Sequence, residues 1–313
     1  MSAKIREPGG AIERGFSSRY GVDWSKYVQY RPIYPESFFR RIYEYHDQKP
    51  GVSWSTAHDV GAGHGIVSSA LASRFDRVVV SDPDKRHNEV AHQLLVKKSG
   101  WPESKFVFLQ EGAEKSSVET GTVDLITACE CMQYTNTAEA VDDFARQLKP
   151  GGTLAMTYYT RPLILDNERA QSIWNAIFQA LWEKYSCPVF DRAFEIGNCG
   201  YDSIAIPPTH WESIKRVYIN ASQGIASFKL TDHVGEDKVG SHEERVWVHG
   251  DPDWSDEQGV DWLKRYVATW IPALPESDVQ DLWDELEQII NGGKFRIETP
   301  FVMVFATKRA KDS

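Results

Sequence analysis

The sequence predicts an α/β fold in which helices cover both faces of a parallel sheet. Between residues 56 and 158, short β-branched runs alternate with longer helical patterns, which is typical of parallel strands joined by crossover helices. A glycine-rich turn at 61–65 follows the first run directly and opens the first helical pattern. With 313 residues, of which 41% are hydrophobic, the chain can bury such a core and carry a further elaboration.

Hydrophobic periodicity places each element of this core in order. Strands are predicted at 56–60, 77–81, 105–110, 123–129 and 153–158. Helices are predicted at 67–74, 85–98 and 138–148. Asp84 is the N-cap candidate of the second helix, and the Lys-Pro-Gly-Gly run at 149–152 ends the third helix through a turn.

After about residue 160 the chain becomes richer in tryptophan, and the rhythm of its elements changes. An amphipathic helix is predicted at 167–185, and its apolar stripe from Ile173 to Tyr185 either packs on the sheet or caps a substrate pocket. Further predicted elements are helical patterns at 263–270 and 279–290, strands at 214–219 and 301–307, and a polar loop or edge hairpin at 233–258.

Charge and composition disfavour several classes of function. The chain has 35 basic and 45 acidic residues, and this net charge of −10 disfavours nucleic acid or an anionic membrane as a partner. No run approaches the roughly 20 apolar residues of a membrane span. Because the first residues also lack the apolar segment of a secretory signal, we expect a cytoplasmic protein. The four cysteines and nine histidines show no metal-ligand spacing, so no metal site is expected.

The densest functional signal is the run Asp-Val-Gly-Ala-Gly-His-Gly from Asp59 to Gly65. Glycines in this run let the backbone turn tightly and approach a ligand, and the following helix N-terminus offers free N–H groups. A dinucleotide fingerprint needs a glycine where this chain has Ile66. The GxGxG spacing with an acid two residues ahead therefore predicts a nucleotide-type cofactor without phosphates.

Further polar residues follow the other predicted strands. Asp82 ends the second strand, where its carboxylate would accept both ribose hydroxyls of an adenosine or would only cap the surface. The run Glu-Gly-Ala-Glu at 111–114 follows the third strand, and Cys129 and Glu130 end the fourth. Because carboxyl ends of parallel strands meet at one edge of the sheet, we expect these residues to line one ligand site.

Four runs of sequence carry a resemblance to a known family: Tyr-Arg-Pro-Ile-Tyr-Pro at 30–35, the glycine run at 59–65, Asp-Leu-Ile-Thr-Ala-Cys-Glu-Cys-Met-Gln-Tyr at 124–134, and Leu-Lys-Pro-Gly-Gly-Thr-Leu at 148–154. They resemble class I S-adenosylmethionine-dependent methyltransferases and, more narrowly, the trans-aconitate methyltransferase-type family; Lys-Arg-Tyr-Val-Ala-Thr-Trp at 264–270 is similar to that family too. The resemblance implies a Rossmann-like, seven-stranded sheet with an antiparallel last hairpin and helical substrate-cap elements. It implies S-adenosyl-L-methionine as the cofactor and S-adenosyl-L-homocysteine as the product.

The resemblance also implies a division of the chain and a set of cofactor contacts. Residues 1–50 would form N-terminal lid helices, 51–160 the cofactor-binding core, and 161–313 the substrate cap with the closing strands. The implied cofactor-binding residues are Tyr27, Arg31, Asp59, Gly61, Ala62, Gly63, Asp82, Pro83, Ala113, Glu114, Cys129 and Glu130. The chain departs from the family at His64, where a Pro or a small residue is usual, and at Tyr134, where a Trp is common.

Methyl transfer from a sulfonium is an in-line displacement, so the protein mainly has to orient the acceptor and exclude water, and no catalytic residue is assigned. We expect an oxygen acceptor, either a carboxylate or a hydroxyl, on a small molecule such as a natural-product intermediate. A nitrogen or carbon acceptor, or a non-catalytic S-adenosylmethionine-binding scaffold, is the alternative. Candidate substrate-binding residues are Gln133, Tyr134, Tyr159 and Trp182, and structural packing would explain these side chains equally well. The sequence does not define the oligomeric state.

Overall fold

The computed structural model describes residues 30–31, 34–49, 51–185, 188–270 and 274–310, with the side chain of Val189 left out. In these ranges the central sheet consists of β1 (Thr56–Val60), β2 (Arg77–Ser81), β3 (Phe106–Leu109), β4 (Val123–Cys129), β5 (Leu148–Tyr159), β7 (Trp211–Ile219), β8 (Glu244–Val248) and β11 (Phe301–Lys308). Their order is β3-β2-β1-β4-β5-β11-β7-β8. The strand order reverses between β1 and β4, which is the point where open α/β sheets bind ligands.

The central sheet is parallel from β3 to β5, and β11 then runs antiparallel between β5 and β7. The last strand is therefore antiparallel, as predicted, but β7 and β11 do not form the predicted hairpin, because residues 220–300 separate them in the chain. The predicted count of seven strands is wrong, because β8 adds to the outer edge of β7 in parallel and makes an eight-stranded sheet. Strand β8 leaves Glu244, Arg245 and Trp247 exposed, so its sequence lacks the apolar run by which buried strands are predicted.

A second, antiparallel sheet has the order β6-β10-β9 and consists of β6 (Leu163–Ile164), β9 (Ser255–Gln258) and β10 (Phe295–Glu298). The segment 233–258 was predicted as a loop or edge hairpin, and the hairpin is wrong. Its two strands, β8 and β9, join different sheets, and the short 3-10 turn Pro252–Trp254 separates them. Each strand finds its partner far away in the sequence, which no local pattern indicates.

The described helices are α1 (Glu36–Asp47), α2 (Ile66–Ala72), α3 (Lys85–His92), α4 (Thr137–Gln147), α5 (Glu168–Tyr185), α6 (Pro188–Gly197), α7 (Val260–Val267) and α8 (Gln280–Ile290). The predicted N-cap of α3 is confirmed, since the Asp84 carboxylate accepts a hydrogen bond from the N–H of Arg86 at 2.9 Å. A π-helical turn, Gln93–Lys98, continues α3 and accounts for the longer helix predicted there. No helix of the described ranges is long and apolar enough to cross a membrane.

Helix α1 packs on the central sheet. Its residues Phe38 and Ile42 are fully buried, and Phe38 lies 5.6 Å from Phe301 of β11, measured between ring centroids. The hydroxyl of Tyr45 donates to the carbonyl of Ser213 on β7 at 2.6 Å. These contacts make α1 part of the core, although it lies inside the range 1–50 that was assigned to the lid.

The aromatic stripe of α5 forms a separate hydrophobic core with α7, α8 and the second sheet. Ile173, Trp174, Ile177, Phe178 and Leu181 are all buried in it. They pack with side chains such as Leu263, Tyr266 and Trp283, not with the strands of the central sheet. We call this unit the cap. The stripe is thus the inner face of the cap, and the alternative in which it packs on the central sheet is wrong.

Candidate cofactor and acceptor site

The glycine loop between β1 and α2 contains two glycines that are required for different reasons. Gly61 has a φ of +62°, and a Cβ on it would lie 2.6 Å from the Cβ of Cys131, so close packing excludes a side chain. Gly63 has a φ of +54°, and a Cβ there would meet no heavy atom within 4 Å. The backbone of Gly63 therefore faces open space, as a cradle for a ligand requires.

Asp59 lies near the end of β1, two residues before the glycine loop, and joins α2 to β4. It is 1% exposed, and its Oδ2 accepts from the hydroxyl of Ser68 at 2.6 Å while its Oδ1 accepts from the hydroxyl of Thr127 at 2.9 Å. Burial raises the pKa of Asp59 to about 6, although both hydroxyls favour the carboxylate. Asp59 thus connects α2 with β4, because each of its carboxylate oxygens accepts from one of them, and its direct contact with a cofactor stays a prediction.

Asp82 lies at the end of β2 and is connected to the same loop. Its Oδ2 accepts from the N–H of Gly63 at 3.0 Å, and its Oδ1 accepts from the N–H of Asp84 at 2.8 Å. The ring Nδ1 of His87 is 3.0 Å from Oδ1. Burial lowers the pKa of His87, but the hydrogen bond and the charge of Asp82 outweigh burial and raise the pKa above its ordinary value. The His64 ring lies 5.6 Å from that of His87, and burial lowers the pKa of His64 to about 4.

The loops after β2 and β3 approach each other beside Asp82. Pro83 is exposed, and its carbonyl accepts from the side-chain amide of Gln110 at 3.4 Å. Ala113 is buried, and the Oε1 of Glu114 accepts from the N–H of Asn136 at 2.8 Å at the start of α4. The residues predicted to contact an adenine therefore lie on two neighbouring loops at the carboxyl edge of the sheet.

Cys129 and Glu130 end β4, with Cys129 buried in the core. Glu130 has a φ of +58°, a conformation that is uncommon for a residue with a side chain and often marks a functional site. Its Oε1 accepts from the N–H of Tyr159 at 2.5 Å. Burial raises the pKa of Glu130 well above its ordinary value, whereas the Tyr159 N–H and the charge of Arg31 lower it. A cation placed next to Glu130 would stabilise the carboxylate further.

Arg31 connects the N-terminal segment with the cap. Its Nη2 donates to the carbonyl of Thr269 at 3.2 Å, and its guanidinium lies 5.3 Å from the ring centroid of Trp270 and 5.6 Å from that of Tyr266. Since its charge also acts on Glu130, Arg31 is close to the end of β4, and its contact with the cofactor stays a prediction. Tyr27, the other predicted contact of this segment, lies outside the described residues.

Buried polar side chains continue from Glu130 towards the cap. The side-chain amide of Gln133 donates to the carbonyl of Glu130 at 3.1 Å, and the hydroxyl of Tyr201 donates to the Oε1 of Gln133. The Tyr158 ring stacks on that of Tyr201, with centroids 5.2 Å apart. Burial raises the pKa of both phenols well above the ordinary value, so both are neutral donors at physiological pH.

The predicted substrate-binding residues fall into two groups. In the first group, the side-chain amide of Gln133 donates a hydrogen bond to the carbonyl of Glu130, and the N–H of Tyr159 donates one to the carboxylate of Glu130. Tyr134 is 48% exposed, but its phenol is near enough to Tyr158 to raise the pKa of that side chain. Trp182 instead contacts the rings of Phe194 and His233, at centroid distances of 4.9 and 5.0 Å.

Sequence reasoning missed His87, Tyr201, Arg161 and Tyr266 as site residues. Arg161 follows β5 by two residues, so its position after a strand could have indicated it. Tyr201 and Tyr266 lie in the second half of the chain. Tyr201 reaches Tyr158 through packing in the core of the central sheet, and Tyr266 approaches Tyr158 from the cap. The described residues contain no group of three or more His, Cys, Asp or Glu side chains that could hold a metal ion.

Comparisons with known proteins agree with this geometry. A family model for a methyltransferase domain matches residues 58–156, which include β2 to β4 and most of β1 and β5. Two fungal proteins are each 29% identical to the chain: Methyltransferase cfoB of Aspergillus candidus, over 94% of this chain and 97% of its own, and Methyltransferase ptaI of Pestalotiopsis fici, over 92% and 94%.

Two solved structures share the fold at low sequence identity. One, assigned as a type II methyltransferase from Anaeromyxobacter dehalogenans, has a TM-score of 0.58 and 16% identity, with 88% of this chain and 97% of that chain covered. The other is a phosphoethanolamine N-methyltransferase of Haemonchus contortus in complex with S-adenosylhomocysteine, with a TM-score of 0.50, 14% identity, and 97% and 62% covered.

Residues 58–156 thus match a methyltransferase domain, the central sheet has the class I methyltransferase fold, and S-adenosylmethionine is the cofactor. The open space at Gly63 is compatible with the methionine part of that molecule, the carboxylate of Asp82 with its ribose hydroxyls, and the half-buried carboxylate of Glu130 with its cationic amino group. None of the relatives just named is a trans-aconitate methyltransferase, so that narrower resemblance stays a prediction.

Proposed function

We propose that the protein transfers a methyl group from S-adenosylmethionine to an oxygen atom, of a carboxylate or a hydroxyl, on a small molecule. For the cofactor we propose that the glycine loop faces the methionine part, that Asp82 accepts from the ribose hydroxyls, and that Glu130 pairs with the amino group while Arg31 pairs with the carboxylate. Pro83, Ala113 and Glu114 would then border the adenine. The geometry described above supports each of these contacts.

The observation that carries the oxygen acceptor is the buried set of Tyr158, Tyr201 and Gln133 beside Glu130. The Tyr201 O–H is already donated to Gln133, so the Tyr158 phenol and the second amide N–H of Gln133 would orient an oxygen lone pair, without protonating it. They carry no negative charge that would attract an ammonium group, and the neighbouring carboxylate of Glu130 is assigned to the amino group of the cofactor. A carboxylate or phenolate acceptor needs no general base, whereas an alcohol needs one within hydrogen-bonding reach.

When bound, S-adenosylmethionine supplies an electrophilic methyl group on a sulfonium. The protein's own task is to hold the acceptor oxygen about 3 Å from that carbon, in line with the bond that breaks, and to exclude water. We propose that the enclosure is formed by the segment before α1, through Arg31, and by the cap, through Tyr266 and Trp270. Arg31 already contacts this face of the cap.

The acceptor atom can be tested directly. The purified protein would be incubated with methyl-labelled cofactor and matched panels of aromatic carboxylic acids, phenols and amines, and the products identified by mass spectrometry. Mild alkali hydrolyses methyl esters but leaves methyl ethers and N-methyl groups intact, so the two oxygen classes are distinguished. Labelled esters or ethers support the proposal, and exclusive N- or C-methylation overturns it.

A control is needed for the alternative in which the protein only binds the cofactor. Calorimetry with S-adenosylhomocysteine on the same sample shows whether the cofactor site is intact. Tight binding without any labelled product across all three panels would favour a non-catalytic scaffold. Weak binding would identify a damaged preparation.

A further inference from the structure

Arg161 is a buried cation with unusually few partners. It follows β5 by two residues and is 5% exposed. Its Nη2 donates to the Oδ1 of Asn175 on α5, but Nε and Nη1, both buried, have no hydrogen-bond partner among the residues that the structure describes. In the same ranges no carboxylate lies within ion-pair distance of it.

A second buried arginine shows what complete pairing looks like in this protein. Arg216 is fully buried on β7, where its Nε donates to Glu243 at 2.6 Å and its two other nitrogens donate to the carbonyls of Tyr201 and Ile204 at 2.8 Å. Buried charges and N–H groups are costly unless they are paired in this way. Arg161 lacks such pairing, so the fold alone does not account for its position.

The surroundings of Arg161 place its charge between the cap and the sheet. Its guanidinium carbon lies 5.3 Å from the ring centroid of Phe178 on α5. Burial lowers the pKa of Arg161 to about 10, and the nearby phenols of Tyr266 and Tyr158 raise it, so the side chain stays charged at neutral pH. Tyr158 in turn is electrostatically coupled to Glu130. The free nitrogens thus belong to the region in which the acceptor is proposed to bind.

We propose that Arg161 anchors the methyl acceptor by binding an anionic oxygen that the acceptor carries in addition to the oxygen that is methylated. The proposal rests on the proposed function and adds a substrate class to it: hydroxy acids or polyphenols with one ionised group. A guanidinium forms strong, charge-assisted hydrogen bonds with carboxylate and phenolate oxygens. The anchoring oxygen differs from the reacting one, because pairing with a guanidinium withdraws electron density from an attacking oxygen.

The test compares acids with neutral molecules of the same shape. Binding of 4-hydroxybenzoate, of 4-hydroxybenzamide and of a catechol series with graded pKa values would be measured by calorimetry on the complex with S-adenosylhomocysteine. We expect the acid to bind at least about 10-fold more tightly than the amide, since a charge-assisted hydrogen bond is lost with the amide. A preference for ionised catechols, rising with pH, would instead identify a phenolate as the anchor.

Variants separate anchoring from structural support. In Arg161→Met we expect the preference for the anion to disappear, while affinity for the amide and for the cofactor stays the same. Arg161→Lys should restore part of the preference. The matched control is Arg169→Met, because Arg169 is a cap arginine on the surface of α5, paired with Glu285, and should leave all affinities unchanged.

The outcomes are decisive in both directions. The proposal is overturned if the native protein binds neither the carboxylate more tightly than the amide nor the ionised catechols more tightly than the neutral ones. It is also overturned if Arg161→Met keeps a preference for the anion. If Arg161→Met does not fold, the lysine variant and the pH series on the native protein still decide the question. Because binding to the product complex needs no turnover, these results remain separate from the acceptor assay: N-methylation would overturn the oxygen acceptor and leave the anchor intact.

Discussion

The carboxylate of Glu130 closes the gap between the ends of β4 and β5, with its Oε1 atom 2.5 Å from the backbone nitrogen of Tyr159. In return, the N–H of Glu130 donates to the carbonyl of Thr157 on β5 at 3.0 Å. The two strand ends are thereby fixed in one geometry, and a carboxylate with a raised pKa is held at the edge of the cofactor site.

Replacing Glu130 by Gln should weaken cofactor binding and leave the fold intact. The amide oxygen can still accept from the Tyr159 N–H, but the charge that would pair with the cofactor's amino group is lost, so we expect affinity to fall by about 10-fold or more. A cation next to Glu130 favours its charged form, so binding to the native protein should release a proton and tighten as pH rises. Calorimetry in two buffers of different ionisation enthalpy measures that release, which the variant should lack. Equal proton release in both proteins would contradict the assignment.

Asp82→Ala should reduce affinity for S-adenosylhomocysteine by about 10- to 100-fold, because a charge-assisted hydrogen bond to the ribose is removed. Asp82 also accepts from Gly63, so loss of loop geometry is a competing cause. A dideoxyribose analogue of the ligand separates the two. If Asp82 binds the ribose hydroxyls, the native protein and the variant should bind that analogue with equal affinity. If the variant still binds the analogue more weakly by the same factor, the loss of affinity comes from the altered loop.

Gly63→Val should abolish cofactor binding without unfolding the protein. A Cβ at Gly63 meets no protein atom, so the side chain would extend into the space proposed for the cofactor. The matched control is Gly51→Val, since Gly51 has a comparable φ of +72° and equally open surroundings but lies before β1. Both variants incur a similar backbone strain of about 1–2 kcal/mol. Circular dichroism and calorimetry should show two folded proteins, of which only the Gly51 variant binds.

Asp59 predicts a pH dependence of stability. Burial raises its pKa from 3.8 in the unfolded chain to about 6 in the folded protein, so folding favours the protonated carboxyl. This stabilisation is complete at a pH below 3.8 and is lost as the pH rises through about 6. Asp59→Asn should remove this loss, which amounts to something on the order of 3 kcal/mol. Urea unfolding of both proteins at about pH 4 and pH 8 measures the difference. Parallel pH profiles for native protein and variant would show that the carboxylate does not titrate in this range.

Removal of residues 1–31 should leave a folded protein with sharply reduced turnover. Helix α1 begins at Glu36 and packs on the sheet, so the truncation spares the core, whereas it deletes Arg31 and its contacts with the cap. A segment that closes over the site admits substrate and then excludes water. Circular dichroism and a methyl-transfer assay on one sample distinguish loss of enclosure from loss of folding. Full activity of a folded truncation would refute the lid.

The positions of the proposed cofactor-binding residues in the fold were predictable because their signals are local. Each strand of the core is one apolar run, the glycines form one loop, and Asp84 caps the helix that follows it directly. Asp82 and Glu130 could be placed together because parallel strands bring their carboxyl ends to one edge. The hydrogen bonds that join Asp82 to Gly63 and Glu130 to Tyr159 are direct consequences of that edge.

The sequence by itself determined the class of fold, the edge of the sheet at which the proposed site residues meet and the type of cofactor, because short-range periodicity and strand-end residues encode them. Only the tertiary structure decided that β8 extends the sheet, that the stripe of α5 forms a cap of its own, and that Arg161 is buried without a carboxylate among the described residues. These features depend on contacts between residues far apart in the chain, such as β7 with β8 or Phe178 with Trp270. Burial and pairing of a side chain are properties of the packed molecule, and no local pattern contains them.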